Sequence, residues 1–290
     1  MTRLLGSLSL IAVLTAGLVV MAVGPAGATH GSSSTRGHPA AVPAYPASMA
    51  ALGDSITQAY DSLGTKQKLT SEPQYSWATG YASANIVNSQ YLRLAAVDPA
   101  IKGNEYNDSV VGAKVSGLLA QANLAISQKA QYLVILIGAD NVCTQTIAGM
   151  TPASTFAETF MTDLATLMKD LPDAHVFVSS IPNLFQLWSI LHDNPSAEGI
   201  WSFGICQSMF AKTNTPADRA LVLEREEADN GALATACKRY AHCRWDNLAV
   251  FNTKFTPNEV NNFDYFHPSL LGQSRLASIT WAASWWPNAK

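Results

Sequence analysis

The sequence predicts an α/β fold: a three-layer αβα sandwich with a central parallel sheet. Two observations carry this. Apolar runs of strand length recur at residues 49–52, 132–137, 175–181 and 248–251, without the polar alternation of a half-exposed strand. Between them lie stretches with helical spacing, and strand–helix–strand alternation leads to parallel pairing with helices on both faces.

In chain order, residues 1–28 open with a basic Arg3, run through an apolar stretch from Leu4 to Val23, and end in Ala26-Gly27-Ala28. This is the pattern of a signal peptide cleaved before Thr29, so a secreted protein is expected. An uncleaved anchor is the competing reading, because an apolar stretch of this length reaches across a bilayer. The small residues and the polar segment that follows favour removal. Residues 29–47, rich in Gly, Ser, Pro and Ala, read as a flexible lead-in. Residues 48–290 remain for one domain, enough chain to bury a full core. No internal repeat stands out within it.

The first run ends at Gly53, which puts Ser55 just past the carboxyl end of a strand. Ligands bind there in open α/β sheets. Further on, Thr155 and Glu158 suggest a capping box, followed by Phe156, Phe160, Leu164, Leu167 and Leu171 along one face, which reads as core. Asp264 and His267 fall between the run at 248–251 and a final helix starting near Ser269. A serine hydroxyl is a poor nucleophile unless an imidazole takes its proton and a carboxylate orients that imidazole. Ser55, His267 and Asp264 supply these three residue types, and such triads recur in several chain orders. No Gly-x-Ser-x-Gly occurs, which argues against the nucleophile elbow of the α/β-hydrolases.

The chain carries 18 basic and 21 acidic residues. Nothing in that balance suggests nucleic acid as a partner. Four cysteines in an exported chain point to two disulfides, with three pairings possible. Cys237 with Cys243 is favoured by closeness in sequence, and Cys143 then pairs with Cys206. Loop entropy would make the second bridge worth about 4 kcal/mol and the first about 2 kcal/mol. Neither Cys-x-x-Cys nor His-x-x-x-His spacing is present, so no metal site or cofactor is expected. The other histidines are His30 and His38 in the lead-in, His175 heading a strand, and His192 and His242 in loops. They read as surface or structural. Trp77, Trp188 and Trp201 read as packing residues, the last two also as candidates to line an acyl or sugar groove. Asn107-Asp108-Ser109 is a glycosylation sequon.

Together these residues resemble the SGNH (GDSL-type) serine esterases and lipases over nearly all of the chain after residue 48. Gly53-Asp54-Ser55 matches the family's nucleophile block and Asp264-Tyr265-Phe266-His267 its last block. The segment Asn107-Asp108-Ser109-Val110-Val111-Gly112-Ala113 resembles the second block, with Gly112 as its glycine. Leu136-Ile137-Gly138-Ala139-Asp140-Asn141-Val142-Cys143 resembles the Gly-x-Asn-Asp block with its last two residues exchanged. Tyr75-Ser76-Trp77 and the cysteine after the third block resemble the phospholipase B-like branch.

The resemblance implies a flavodoxin-like sheet and hydrolysis of carboxylic esters through acyl-Ser55, without cofactor or metal. It also implies an oxyanion hole made by the backbone N–H groups of Ser55 and Gly112 with an asparagine amide. A carboxylate in the third position would repel the developing charge unless protonated. Asn141, reached by a local backbone shift, is therefore the expected donor, with a protonated Asp140 as the alternative. A bridge at Cys143 would pin that loop. A secreted monomer acting on lipid, phospholipid or small acyl esters is expected. A carbohydrate acetylesterase or a non-catalytic lipid- or carbohydrate-binding protein is the alternative.

Overall fold

The computed structural model describes residues 42–64, 69–83 and 86–289. The signal segment 1–28 and positions 29–41 of the lead-in lie outside the described residues. The elements are β1 (Met49–Gly53), α1 (Gln90–Val97), β2 (Glu105–Asn107), α2 (Leu118–Ser127), β3 (Tyr132–Leu136), α3 (Ala139–Val142), α4 (Ala153–Asp170), β4 (His175–Val178), α5 (Leu184–Leu191), α6 (Pro195–Trp201), α7 (Gln207–Phe210), α8 (Pro216–Cys237), β5 (Cys243–Trp245) and α9 (Leu270–Ala283).

The strands form one parallel sheet in the order β2-β1-β3-β4-β5. From β1 the chain runs outward to β2 and then returns past β1 to β3. The usual right-handed crossover puts α1 on one face and α2, α4 and α8 on the other. The packing agrees, with α1 against α9 and α4 against both α2 and α8. Helices on both faces bury β1 and β3 along their whole length, which is why these strands read as unbroken apolar runs. The register sets Gly53 opposite Leu136. Both strands therefore release the chain at the point where the strand order reverses, which is where such sheets open a crevice.

Two local expectations are corrected, and one strand is added. The run at 248–251 is a turn, because Asn247 and Leu248 take left-handed dihedrals (φ 56° and 63°), and the fifth strand is the short Cys243–Trp245 before it. Val250 is buried there by side-chain packing rather than by strand pairing. β2, a half-buried three-residue edge strand, carries no apolar run to betray it. Thr155 and Glu158 form no capping box, since α4 already begins at Ala153 behind Pro152, whose φ of -56° suits helix entry. Capping boxes do close the N-termini of α8, by Thr215 and Asp218, and of the 3-10 turn Pro257–Glu259, by Thr256 and Glu259. The predicted face of α4 does enter the core through Phe156, Phe160, Leu164 and Leu167, while Leu171 sits half-buried at its end.

Beyond β4 the chain adds a second apolar cluster, built by Val142, Leu184, Trp201, Met209, Phe210 and Val260 among others. The Cys143–Cys206 bridge joins the end of α3 to the start of α7 there, and Cys237–Cys243 joins α8 to β5. Two buried polar side chains of α8 hold the loop after β4. Glu226 accepts from the Leu184 N–H, and Asn230 accepts from the Ile181 N–H at 2.9 Å. Among the described residues no helix is long and apolar enough to cross a membrane.

Gly53 is the tightest point of this frame. Its φ is 151°, and a Cβ would lie 2.2 Å from the Leu136 carbonyl oxygen and 2.8 Å from Thr57 Oγ1. Gly53→Ala is expected to cost about 3 to 5 kcal/mol through backbone strain and overpacking. Thermal unfolding followed by circular dichroism should show a midpoint lowered by roughly 10 °C.

Candidate active site

The turn after β1 is built to present Ser55. The Gln121 side chain holds Gly53 from both sides, accepting from its N–H at 2.7 Å and donating to its carbonyl at 2.9 Å. Asp54 is buried, and its Oδ1 accepts from the Ile56 N–H at 2.9 Å. The Tyr60 N–H donates to the Ser55 carbonyl at 3.0 Å. The chain is thereby folded back on itself, and Ser55 is left at the surface of the crevice with 5% of its area exposed.

Asp264 and His267 sit in a loop closed at its neck. Val260 pairs with Pro268 in an antiparallel bridge, and the Asn261 N–H donates to the His267 carbonyl at 2.8 Å. Asn261 also organises the loop interior. Its Oδ1 accepts from the N–H groups of Phe263 and Asp264 at 2.5 and 3.3 Å, and its amide donates to the Asp61 carbonyl. Asp264 repeats the device: Oδ1 accepts from the N–H groups of Phe266 and His267 at 2.8 and 3.0 Å, which leaves Oδ2 at 2.6 Å from His267 Nδ1. On the far side of the ring, His267 Nε2 lies 2.8 Å from Ser55 Oγ. With the proton on Nδ1, held by the carboxylate, Nε2 faces the hydroxyl as a lone pair. The rings of Tyr60 and Phe266 flank the imidazole with centroids at 5.0 and 4.9 Å.

Trp201 supports the loop from beneath. It is buried, stacks on Phe210 at 4.2 Å and donates its indole N–H to the Tyr265 carbonyl at 3.1 Å. This excludes a groove-lining role for it. Trp77 is buried too, and Trp188 lies within α5 beneath the Arg219 guanidinium. The sequon residue Asn107 spends its amide on the Thr57 carbonyl and Thr79 Oγ1, at 2.9 and 3.0 Å. Among the described residues no group of three His, Cys, Asp or Glu side chains is placed to hold a metal ion.

The other two predicted site residues are placed as follows. Gly112 is exposed with φ 74°, and neither its N–H nor that of Ser55 donates to an acceptor among the described residues. Asn141 is fully buried: its Oδ1 accepts from the Val115 N–H at 3.0 Å and its amide donates to Thr151 Oγ1 at 2.9 Å. Its neighbour Asp140 is only half-buried. Burial raises the Asp140 pKa, while its interactions with His267 and Lys114 work against that rise. The buried Asp54 is pushed well up by desolvation and, next, by the charge of Asp140. A mostly apolar pocket is lined by Ile56, Ala139, Leu184, Leu187, Phe255 and Phe266 among others; Ser55, Asp264 and His267 do not line it, but their chain neighbours Ile56, Phe266 and Pro268 do.

The model of the GDSL-like lipase/acylhydrolase family matches residues 51–275. The chain belongs to this family. No curated protein matches the sequence. Among solved structures, similarity extends to an extracellular lipase from Streptomyces rimosus, 16% identical, covering 82% of this chain and 99% of that one with a TM-score of 0.48. A phospholipase A1 from Streptomyces albidoflavus is 15% identical, covering 82% of this chain and 99% of that one at 0.48. A family two carbohydrate esterase from Clostridium thermocellum, solved with cellohexaose, is 15% identical, covering 82% of this chain and 63% of that one at 0.49.

In this GDSL-like hydrolase, Asn261 is a residue that sequence reasoning passed over, although an Asn three positions before Asp264 is a turn-forming signal. Asn261→Ala would leave two N–H groups of the loop without their acceptor and the Asp61 carbonyl without its donor. A stability loss of about 1 to 3 kcal/mol is expected. Turnover of an activated ester should fall at least ~10-fold because the imidazole loses its fixed position. Thermal unfolding and steady-state kinetics on the same preparation check both.

Proposed function

We propose that this GDSL-like hydrolase is a secreted carboxylic-ester hydrolase that works through an acyl-Ser55 intermediate. The observation that carries the reading is the continuous chain from Ser55 Oγ through His267 to Asp264, with contacts of 2.8 and 2.6 Å. His267 Nε2 takes the hydroxyl proton as Ser55 Oγ attacks the ester carbonyl carbon. The tetrahedral intermediate collapses, and His267 returns the proton to the departing alkoxide. Water then attacks the acyl-enzyme with His267 again as base, releasing the carboxylic acid and restoring Ser55. Asp264 holds the tautomer and stabilises the imidazolium. The free N–H groups of Ser55 and Gly112 are the backbone donors for the oxyanion.

The neighbouring pocket supports an apolar acyl group. Ile56 follows the nucleophile directly, Phe266 precedes the base, and Ala139, Leu184, Leu187 and Phe255 complete an apolar lining. Lipid or phospholipid esters match this surface better than acetylated sugars, which present one methyl group beside many hydroxyls. Export is supported by the leader pattern in residues 1–28 and by two disulfides. A binding module on the same fold would have no chemical need for an imidazole poised on a serine hydroxyl.

Ser55→Ala and His267→Ala should each lower kcat by about 10⁴- to 10⁶-fold, and the double variant should be little worse than either. Asp264→Ala should cost less, because water is able to orient His267 in part. A serine-reactive phosphonate should label the wild type at Ser55 and leave Ser55→Ala unlabelled. Additive losses, or wild type that is neither labelled nor active on any ester from acetyl to long acyl, would overturn the reading.

A further inference from the structure

We propose that a cleft across the amino ends of the strands, at the opposite end of the sheet from Ser55, binds an uncharged oligosaccharide, with the rings of Tyr45 and Trp285 as its platforms. The site is independent of the chemistry at Ser55.

The parallel sheet keeps the two sites apart. Every strand starts at one rim and finishes at the other, and β1, five residues long, rises about 16 Å between them. Ser55 follows the finishing rim. At the starting rim Pro46 precedes β1, Gln131 precedes β3 and His175 heads β4, and these residues share a hollow of about 410 Å³ with Tyr45, Lys129 and Asp173. A second hollow of about 400 Å³ is lined by Arg244, Trp285 and Asn288. Tyr45 and Trp286 line both, so the two hollows adjoin and form one cleft. Each is of the size that takes a small ligand, about 300 to 1,000 Å³.

Packing fixes the aromatic part of this cleft. Trp286 is buried, donates its indole N–H to the Pro43 carbonyl at 2.9 Å, and meets Tyr45, Trp285 and Tyr132 at centroid distances of 6.3, 5.9 and 5.0 Å. Tyr45 rests on it with 39% of its surface exposed. Trp285 is half-buried and stands at right angles to His175 at 5.0 Å, and its indole N–H makes no hydrogen bond among the described residues. Polar groups without partners line the same cleft. Among the described residues the Lys129 ammonium, the Gln131 amide nitrogen, the Asp170 and Asp173 carboxylates and the His175 ring nitrogens make no hydrogen bond or ion pair. The same holds for the Arg244 guanidinium and the Asn288 amide in the second hollow.

This lining selects the class of ligand. Two cations, Lys129 and Arg244, balance two carboxylates, Asp170 and Asp173, so the cleft has no excess charge with which to draw an anion. A hydrocarbon would take water from all four charges and return no hydrogen bond. A sugar ring meets both demands. It offers a face of C–H groups to an aromatic ring, and around it a rim of hydroxyls that each donate and accept. Two hollows that meet at Tyr45 and Trp286 match successive units of a chain.

The test titrates the purified protein calorimetrically with cellohexaose, xylohexaose and chitohexaose, beside Tyr45→Ala, Asp173→Ala and Ser55→Ala. At least one hexasaccharide should bind the wild type, and Ser55→Ala should bind it as tightly. Tyr45→Ala should weaken that binding about 10-fold and Asp173→Ala about 3-fold. Both side chains are exposed, so both variants should fold, which circular dichroism checks. Should Tyr45→Ala fail to fold, Asp173→Ala decides alone. No binding of any of the three at millimolar concentration, or binding that both variants keep at wild-type strength, would overturn the proposal. Binding lost when a phosphonate occupies Ser55 would overturn it too, because the sugar would then sit in the crevice. So would tighter binding of the anionic chain polygalacturonate than of any neutral one.

Discussion

The contact between Ser55 and His267 joins atoms 212 positions apart in the chain at 2.8 Å, and much of the structure exists to hold that distance. Three polar clamps tie the two segments together. The Asn261 amide reaches the Asp61 carbonyl, the Leu270 N–H donates to the Ser62 carbonyl at 3.0 Å, and Gln273 spans the gap with its whole side chain. Gln273 Oε1 accepts from the Trp77 N–H and its amide donates to the Ile56 carbonyl, both at 2.9 Å and fully buried. Each such bond adds only about 1 kcal/mol net, yet leaving one half unpaired in a dry interior costs about 1 to 3 kcal/mol. That asymmetry gives the clamps their value: apolar contacts alone would bring the segments together but tolerate slippage, and the clamps do not.

The same logic explains why buried polar residues crowd the carboxyl ends of the strands. Gln121 fixes the turn that carries Ser55, Asn230 and Glu226 fix the loop after β4, and Asn261 fixes the loop that carries His267. None of these belongs to a motif that carries chemistry. They replace the backbone pairing that strands lose when they end, and they do it with one geometry each.

How much of this was legible in the sequence follows from where the information sits. β1, β3 and β4 announce themselves because helices cover both their faces, so every residue but the half-buried His175 at the head of β4 is apolar. β2 and β5 escape because edge strands of three residues need little apolar surface. Ser55, Asp264 and His267 were legible as residue types flanking strand and helix ends. Asn261, Gln273, Gln121 and Trp201 were not, since each acts on backbone groups that are remote in sequence, and nothing in composition distinguishes a Gln on a buried helix face from one in solvent. The run at 248–251 misled because burial in a turn and burial in a strand leave the same apolar signature.

The exchanged pair Asp140-Asn141 is best understood as a question of which position is drier. The inner position is fully buried and must accept a hydrogen bond from the Val115 N–H. An amide carbonyl does this without the several kcal/mol that desolvating a carboxylate would cost. The outer position is partly hydrated and borders His267 and Lys114. Placing the ionisable group there spares it the full desolvation cost, and His267 and Lys114 work against the rise that its partial burial causes. The Asn141–Thr151 bond holds this turn, and the Cys143–Cys206 bridge together with the Ser208 hydroxyl, which donates to the Val142 carbonyl at 2.7 Å, ties it to α7. The inner residue of the pair is therefore tied on three sides by hydrogen bonds and packing, while the outer one keeps its carboxyl partly hydrated and makes no hydrogen bond among the described residues.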